Sequence, residues 1–118
     1  MRLSSSRLAL PAALVAAGAA LLAPAAAEAG RVQKVDIGSN FFAPGKKTVR
    51  KGDKVRFVWE EFGFEAHDVN VRTGPAKFSS PLQAGGTWTT KKLRKPGRYS
   101  LYCSQHQEMR MTLTVKRR

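Results

Sequence analysis

The side chains with the most versatile chemistry in this chain lie together near its carboxyl end. They are the single cysteine, one of the two histidines and two of the three methionines, namely Cys103, His106, Met109 and Met111. Thiolate, imidazole and thioether groups are all metal ligands, and the sulfur donors favour soft metals. The stretch YCSQHQEMRM (102–111) therefore predicts a metal site, to which the other histidine, His67, can add a ligand.

Two histidines, one cysteine and a weakly bound methionine form the ligand set of a blue-copper electron-transfer site. Three of these ligands lie on one short connection, whereas His67 lies in another, so a metal would join two parts of the fold. Zinc is the competing metal, but a structural zinc site needs four strong ligands and only three are present. Both histidines are used by one site, and no nucleophile, base and orienting group are arranged together, so we expect no enzymatic activity.

The first residues of the chain form a segment of their own. MRLSSSR carries two arginines and no acid, residues 8–24 are almost wholly apolar, and small residues follow. That order is typical of a secretory signal peptide. We expect residues 1–29 to be this signal peptide, cleaved after Ala27 or Ala29, and residues 30–118 to be one domain in the periplasm or outside the cell. An uncleaved anchor is the alternative, for which the apolar stretch is barely long enough.

An exported protein with one cysteine cannot form an internal disulfide. A free exposed thiol outside the cytoplasm is open to oxidation. Cys103 is therefore either buried or held by a metal. A metal-free β-sandwich adhesion module with a buried cysteine is one hypothesis that the residues leave open.

The positive charge of the chain restricts its partners. Residues 30–118 hold nineteen Lys and Arg against seven Asp and Glu, a net charge of +12. Nucleic acid is a frequent partner of such proteins, but an exported protein rarely meets it, so we predict none. We expect instead an anionic cell surface or an acidic partner protein.

The basic residues concentrate in two clusters, and each cluster brackets a turn. The first contains Lys46, Lys47, Arg50, Lys51, Lys54 and Arg56, and the second contains Lys91, Lys92, Arg94, Lys95 and Arg98. The turns are Lys51-Gly52-Asp53 and Lys95-Pro96-Gly97. Because the strand after each turn leads toward His67 or Cys103, we expect both turns at the end of the fold opposite the ligands.

Alternation of apolar and polar residues predicts short strands and no sustained helix after residue 30. The main predicted strands are 31–37, 54–60, 66–72, 87–93, 98–103 and 109–115. About seven to eight short strands favour an all-β sandwich or barrel. A sandwich gathers its loops at two ends, so the loop before His67 and the SQHQE loop (104–108) can meet there.

At these motifs the chain resembles the cupredoxins, in particular their plastocyanin and amicyanin branch, over roughly residues 31–117. The motifs are YCSQHQEMRMTLTV, the turn and strand KPGRYSLYC, and KGDKVRFVWEEFGFEAHDV. The resemblance implies a Greek-key β-sandwich holding one type 1 copper. It implies a protein that carries single electrons between redox partner proteins as Cu(I) and Cu(II), and we expect a monomer. Copper delivery or buffering through the same ligands is the alternative function.

Residue by residue, the resemblance implies that His67, Cys103 and His106 are the equatorial copper ligands. Asp68 stands where the family usually has Asn, whose side chain bonds to the residue after the cysteine, here Ser104. Such bonds outside the ligand set orient the ligands. Gln105 stands where Pro is commoner.

Two methionines have the spacing of an axial ligand in this family. Met109 has the amicyanin spacing from His106, and Met111 has the plastocyanin spacing. Core residues in the family recur four and six places after the axial methionine, which from Met109 gives Leu113 and Val115. We therefore predict Met109 as the axial ligand, with Met111 as the alternative.

Overall fold

The computed structural model describes residues 30–60 and 65–118, and this part of the chain forms eight β-strands. The strands are β1 (Val32–Gly38), β2 (Phe41–Ala43), β3 (Lys46–Arg50), β4 (Lys54–Trp59), β5 (Asn70–Thr73), β6 (Gly86–Thr89), β7 (Gly97–Cys103) and β8 (His106–Lys116). Within these ranges no helix is long and apolar enough to cross a membrane. The predicted signal peptide and residues 61–64 lie outside the described residues.

The strands form two four-stranded sheets that face each other. One sheet has the order β2-β1-β4-β6, and the other has the order β3-β8-β7-β5. From β2 to β7 each successive strand changes sheet, as in a Greek-key sandwich. Alternate side chains point between the sheets, and the fully buried ones include Val35, Ile37, Val55, Phe57, Val69, Tyr99, Leu101, Leu113 and Val115. The predicted all-β sandwich is confirmed.

Two strands, β2 and β3, were not predicted from the sequence. β3 pairs in parallel with β8, from Lys46 opposite Thr112 to Arg50 opposite Lys116. Val49 is the one fully buried side chain of β3, and its neighbours are basic or polar. A strand with a single buried residue leaves too weak an alternation to be recognised, because its stability comes from pairing with a distant strand.

Two predicted strands are shorter than expected. The strand predicted at 87–93 ends at Thr89, because the chain then leaves the sheet and Leu93 bonds to the turn before β4. The strand predicted at 66–72 begins at Asn70. The residues before it are bonded instead to the irregular segment 78–83, where His67 pairs with Gln83 and the amide of Ser80 donates to Val69.

Cys103 and His106 lie at one end of the sandwich, and the two basic turns lie at the other. Cys103 ends β7 and His106 begins β8, so both lie at one end. At the other end the amide of Gly52 donates to Leu93 O at 2.7 Å, and Leu93 N donates to Asp53 O at 2.8 Å. These bonds join the first basic turn to Leu93, two residues before the second turn, and both turns lie opposite the Cys103 end.

Asp53 is a buried acid that ties this basic end together. Its Oδ1 accepts a hydrogen bond from the amide of Arg31, and its Oδ2 accepts one from the amide of Arg50, each at 2.9 Å. Burial raises the pKa of Asp53, but the amides of Arg50 and Arg31 outweigh burial and hold the pKa below its usual value.

We expect Asp53→Ala to lower the free energy of unfolding by about 2 kcal/mol at neutral pH, because two partly buried amides lose their acceptor. The folded pKa lies below the unfolded one, so this stabilisation is present above the unfolded pKa of about 3.9 and is lost as pH falls through the folded pKa. Urea unfolding of both proteins at pH 7 and in acid measures the effect. A difference that did not shrink in acid would contradict this role of the carboxylate.

Candidate metal centre

Three donor side chains from different parts of the chain meet at one end of the sandwich. His67 lies between β4 and β5, Cys103 ends β7, and His106 begins β8. Their donor atoms all lie within 4.8 Å of one another. Cys103 Sγ is 3.8 Å from Nδ1 of His67 and 3.8 Å from Nδ1 of His106. The structure thus brings together the three donors that the sequence singles out as equatorial ligands.

His67 is held in place by backbone hydrogen bonds on both of its sides. Its amide donates to Gln83 O at 2.9 Å, and Gln83 N donates back to His67 O at 3.1 Å. The indole Nε1 of Trp59 donates to the same His67 carbonyl at 3.2 Å. The sequence gives no sign of the role of Gln83, because an irregular segment separates Gln83 from His67. From the sequence, Trp59 was predicted only as a core residue.

A register shift between β7 and β8 builds the other half of the site. Leu101 pairs with Met111 and Tyr102 pairs with Arg110, but Cys103 then pairs with His106. The residues between His106 and Arg110 therefore bulge out of the ladder, a feature that redirects side chains. The shift places the thiol and the imidazole beside each other at the tip of the hairpin.

Asp68 connects the His67 loop to the residue that follows the cysteine. Its Oδ1 accepts from the amide of Ser104 at 2.7 Å, and its Oδ2 accepts from the Ser104 hydroxyl at 2.6 Å. Burial raises the pKa of Asp68, but the hydrogen bonds from the Ser104 side chain and backbone outweigh it and keep the pKa below its usual value. The bond expected of an Asn at this position is therefore made by Asp, with both of its oxygens.

Met109 and Met111 are both buried, with 1% and 3% of their surfaces exposed. Met111 lies opposite Leu101 in the ladder. The regular register ends at the pair Tyr102 and Arg110, so Met109 lies in the bulged segment between that pair and His106. Met109 is thus the methionine nearer to His106 along the hairpin, and the axial assignment between Met109 and Met111 stays a prediction.

Burial and charge keep the site suited to binding a cation. Burial lowers the pKa of His67, and the neighbouring His106 lowers it further. A neutral imidazole keeps a lone pair free for a metal. Glu65 adds a carboxylate 3.9 Å from Nε2 of His106, although Glu65 itself is exposed.

The three donors differ in their access to solvent. Cys103 is fully buried and His67 is 5% exposed. The His106 side chain is 21% exposed, so it is the one donor of the three that reaches the surface appreciably.

The donor set fits a single soft or borderline metal ion. A separation of 3.8 Å between sulfur and nitrogen suits two donors that each lie about 2.0–2.3 Å from a shared ion. Two imidazoles, one thiolate and a buried thioether match type 1 copper, and divalent copper binds nitrogen and sulfur sites more tightly than zinc does. Among residues 30–60 and 65–118, no other group of three His, Cys, Asp or Glu side chains converges in this way.

Known proteins were compared with this chain by sequence and by fold. The family model described as a cupredoxin-like domain matches residues 11–115. The plastocyanin of Prochlorothrix hollandica is 32% identical over 113 residues, which cover 86% of this chain and 84% of that protein. The plastocyanin of Ulva pertusa is 32% identical over 91 residues, covering 69% of this chain and 92% of its own.

Solved structures share the same sandwich. A copper-containing nitrite reductase from Thermus scotoductus superposes with a TM-score of 0.65 at 28% identity, covering 73% of this chain. This chain spans only 22% of that enzyme. A reduced amicyanin variant superposes with a TM-score of 0.62 at 22% identity, covering 72% of this chain and 82% of the amicyanin. At that identity the amicyanin likeness shows the fold alone.

Proposed function

Because this chain belongs to the cupredoxin family, we propose that it is an exported blue-copper protein that carries single electrons between redox partners. The observation that carries the proposal is the cluster of Cys103, His67 and His106, whose donor atoms lie within 4.8 Å. A bound type 1 copper supplies a centre that takes up and gives back one electron.

We assign the equatorial ligands to His67, Cys103 and His106, and the axial position to Met109. The ligands come from two loops that Asp68 and Ser104 join, and the His67 loop is fastened to Gln83. These bonds hold the donors in one arrangement. Fixed donors keep the site from rearranging when the charge on the metal changes, and this favours rapid electron exchange.

We assign the electron gateway to His106. Its side chain is the most exposed of the three donors, whereas the thiol is fully buried. A partner protein therefore approaches the centre most closely over His106. The redox partners are expected to be proteins, and acidic ones suit the positive charge of the chain.

We propose that the protein is a monomer, acts as no enzyme, binds no nucleic acid, and contacts an anionic cell surface through its two basic turns. We propose that residues 1–29 are a leader removed after Ala27 or Ala29, leaving residues 30–118 in the periplasm or outside the cell. Mass analysis of the exported protein tests this, and an intact leader on it would count against cleavage.

Titration of the metal-free protein with Cu(II) tests the function. We expect one equivalent of copper to produce an intense visible absorption that a mild reductant removes and an oxidant restores. Electron self-exchange should be rapid, while copper should leave the protein slowly because the thiol is buried. Ready transfer of copper to a metal-free acceptor, with slow electron exchange, would instead assign the site to copper delivery or buffering.

A further inference from the structure

A groove of about 280 Å³ lies on the outer face of the sheet that contains β3, β8 and β7. It is lined by three basic residues and three threonines, namely Lys46, Lys47, Arg98, Thr48, Thr112 and Thr114. In the sequence Lys46 and Lys47 belong to one basic cluster and Arg98 belongs to the other. The fold brings members of the two clusters to opposite sides of β8.

Strand register builds this groove. Lys46 pairs with Thr112, and Thr48 pairs with Thr114, on the edge strand β3. Arg98 of β7 pairs with Thr114 from the other side. The residues that alternate with these threonines in β8, Leu113 and Val115, are buried in the core. The threonines therefore face outward, as alternation along a strand requires.

The groove is positively charged and has no neutralising acid. In the described residues, ion pairs form only at Lys34, with Asp36 and Glu60, and between His106 and Glu65. Among the four strands of this sheet the single acidic residue is Glu108, which lies toward the His106 end of β8. Arg50 and Lys116 pair further along the same two strands and continue the positive row.

We propose that this groove binds a linear polyol-phosphate polymer, and not a nucleic acid, because no aromatic residue that could stack with a base lines it. A phosphate accepts hydrogen bonds from the planar fork of Arg98, from lysine and from hydroxyl donors at the same time. Side chains on one face of a strand recur about every 7 Å, which presents donors in a row along the edge. A groove with such a row suits an extended chain of anionic groups.

The apolar surface of the molecule argues against a lipid bilayer as the occupant. The large hydrophobic side chains that are exposed in the described residues are Val32, Phe41 and Leu82. Val32 and Phe41 belong to the other sheet, and Leu82 lies in the segment between β5 and β6. The groove therefore has charge and hydroxyl groups but no exposed apolar side chain to enter a membrane.

The groove lies away from the candidate metal centre. Thr112 is six residues from His106 along β8, a distance of roughly 20 Å at the usual rise of a strand. A polymer bound across β3 and β7 leaves the His106 surface free for a partner. This binding does not depend on the copper site and goes beyond electron transfer.

The test is binding of a ten-unit glycerol phosphate oligomer, followed by fluorescence anisotropy at low and at physiological salt. Lys46→Glu combined with Arg98→Glu changes two charges in the groove. Lys91→Glu combined with Lys92→Glu makes the same charge change at two exposed lysines outside both the groove and the two basic turns, and is the matched control. We expect the groove variant to bind on the order of a hundredfold more weakly, since two attractive contacts become repulsive. The control should lose far less.

A second variant tests the hydroxyl groups without changing charge. Thr112→Val with Thr114→Val should weaken binding about fivefold or more, because two donors to phosphate are lost. The unfolding midpoint and the copper absorption of each variant show whether the fold is kept. Neither measurement should change, because the side chains are on the outer face.

Three results would overturn the proposal. Equal losses in the groove variant and the Lys91 and Lys92 control would assign binding to overall charge. Equal or tighter binding of polyglutamate, or of phosphatidylglycerol vesicles, would assign the surface to an acidic protein or a membrane. Absence of oligomer binding at low salt would leave the groove without this ligand. Each result is independent of whether the protein carries electrons.

Discussion

Cys103→Ser is expected to remove the intense visible absorption of the copper-loaded protein completely. The absorption of a type 1 centre comes from its copper–thiolate bond, and Cys103 is the single cysteine of the chain. Serine is nearly the same size but offers a hard, protonated oxygen that copper binds poorly in place of sulfur. The measurement is the visible spectrum after one equivalent of Cu(II) is added to each protein.

The fold of this variant should survive. Cys103 is fully buried at the end of β7, where serine buries a hydroxyl at a cost of about 1–3 kcal/mol. Far-ultraviolet circular dichroism and urea unfolding of the metal-free proteins provide the control. Visible absorption that persisted in folded Cys103→Ser would disprove the assignment of the thiol as a ligand.

Met109→Leu is expected to raise the reduction potential by about 59 mV or more, which corresponds to a tenfold change in the preference between oxidation states. A thioether is a weak axial donor, and its loss destabilises Cu(II) more than Cu(I). Leucine nearly conserves volume, so the 1% exposed site should keep its packing. Cyclic voltammetry of the copper-loaded protein measures the shift.

Met111→Leu is the matched control, since it makes the same chemical change two residues further along β8, opposite Leu101. Its potential should change much less. Its stability should fall by no more than about 1.5 kcal/mol, as for other volume-conserving core changes. The opposite ranking of the two potentials would transfer the axial role from Met109 to Met111.

Strands with strong alternation were predictable because their pattern is local. In β4, Val55, Phe57 and Trp59 are buried while Arg56 between them is exposed, and β7 repeats the pattern with Tyr99, Leu101 and Cys103. β3 was missed because it buries fully only Val49 and depends on parallel pairing with β8. The strand predicted at 87–93 was too long because Leu93 looks like a strand residue, whereas its backbone forms hydrogen bonds with the turn at Gly52 and Asp53.

The candidate site was predictable to the extent that it rests on residue type. Cysteine and histidine are so few in this chain that a thiolate and imidazole site can use no others. The hydrogen bonds that support the ligands were harder to predict from the sequence. Asp68 and Ser104 were identified through a resemblance, whereas the pairing of His67 with Gln83 depends on an irregular segment whose path no local pattern describes.

The basic groove is a surface feature that the sequence alone could not predict. Lys46 and Arg98 belong to separate charge clusters in the sequence, and each cluster brackets its own turn. They line one groove because β3 and β7 both pair with β8, on its two sides. Strand order cannot be read from composition, so a surface formed by three strands is visible only in the fold.

The sequence by itself determined the all-β class, the family and the chemical identity of the donors, because these follow from alternation, motif and residue type. The tertiary structure decided how the donors meet. His67 and Cys103 are 36 residues apart, yet their Nδ1 and Sγ atoms lie 3.8 Å from each other. Two packed sheets bring their loops to one end, and the burial of the core offsets the entropy lost in ordering them. That free energy belongs to the whole fold and to no local stretch of the chain.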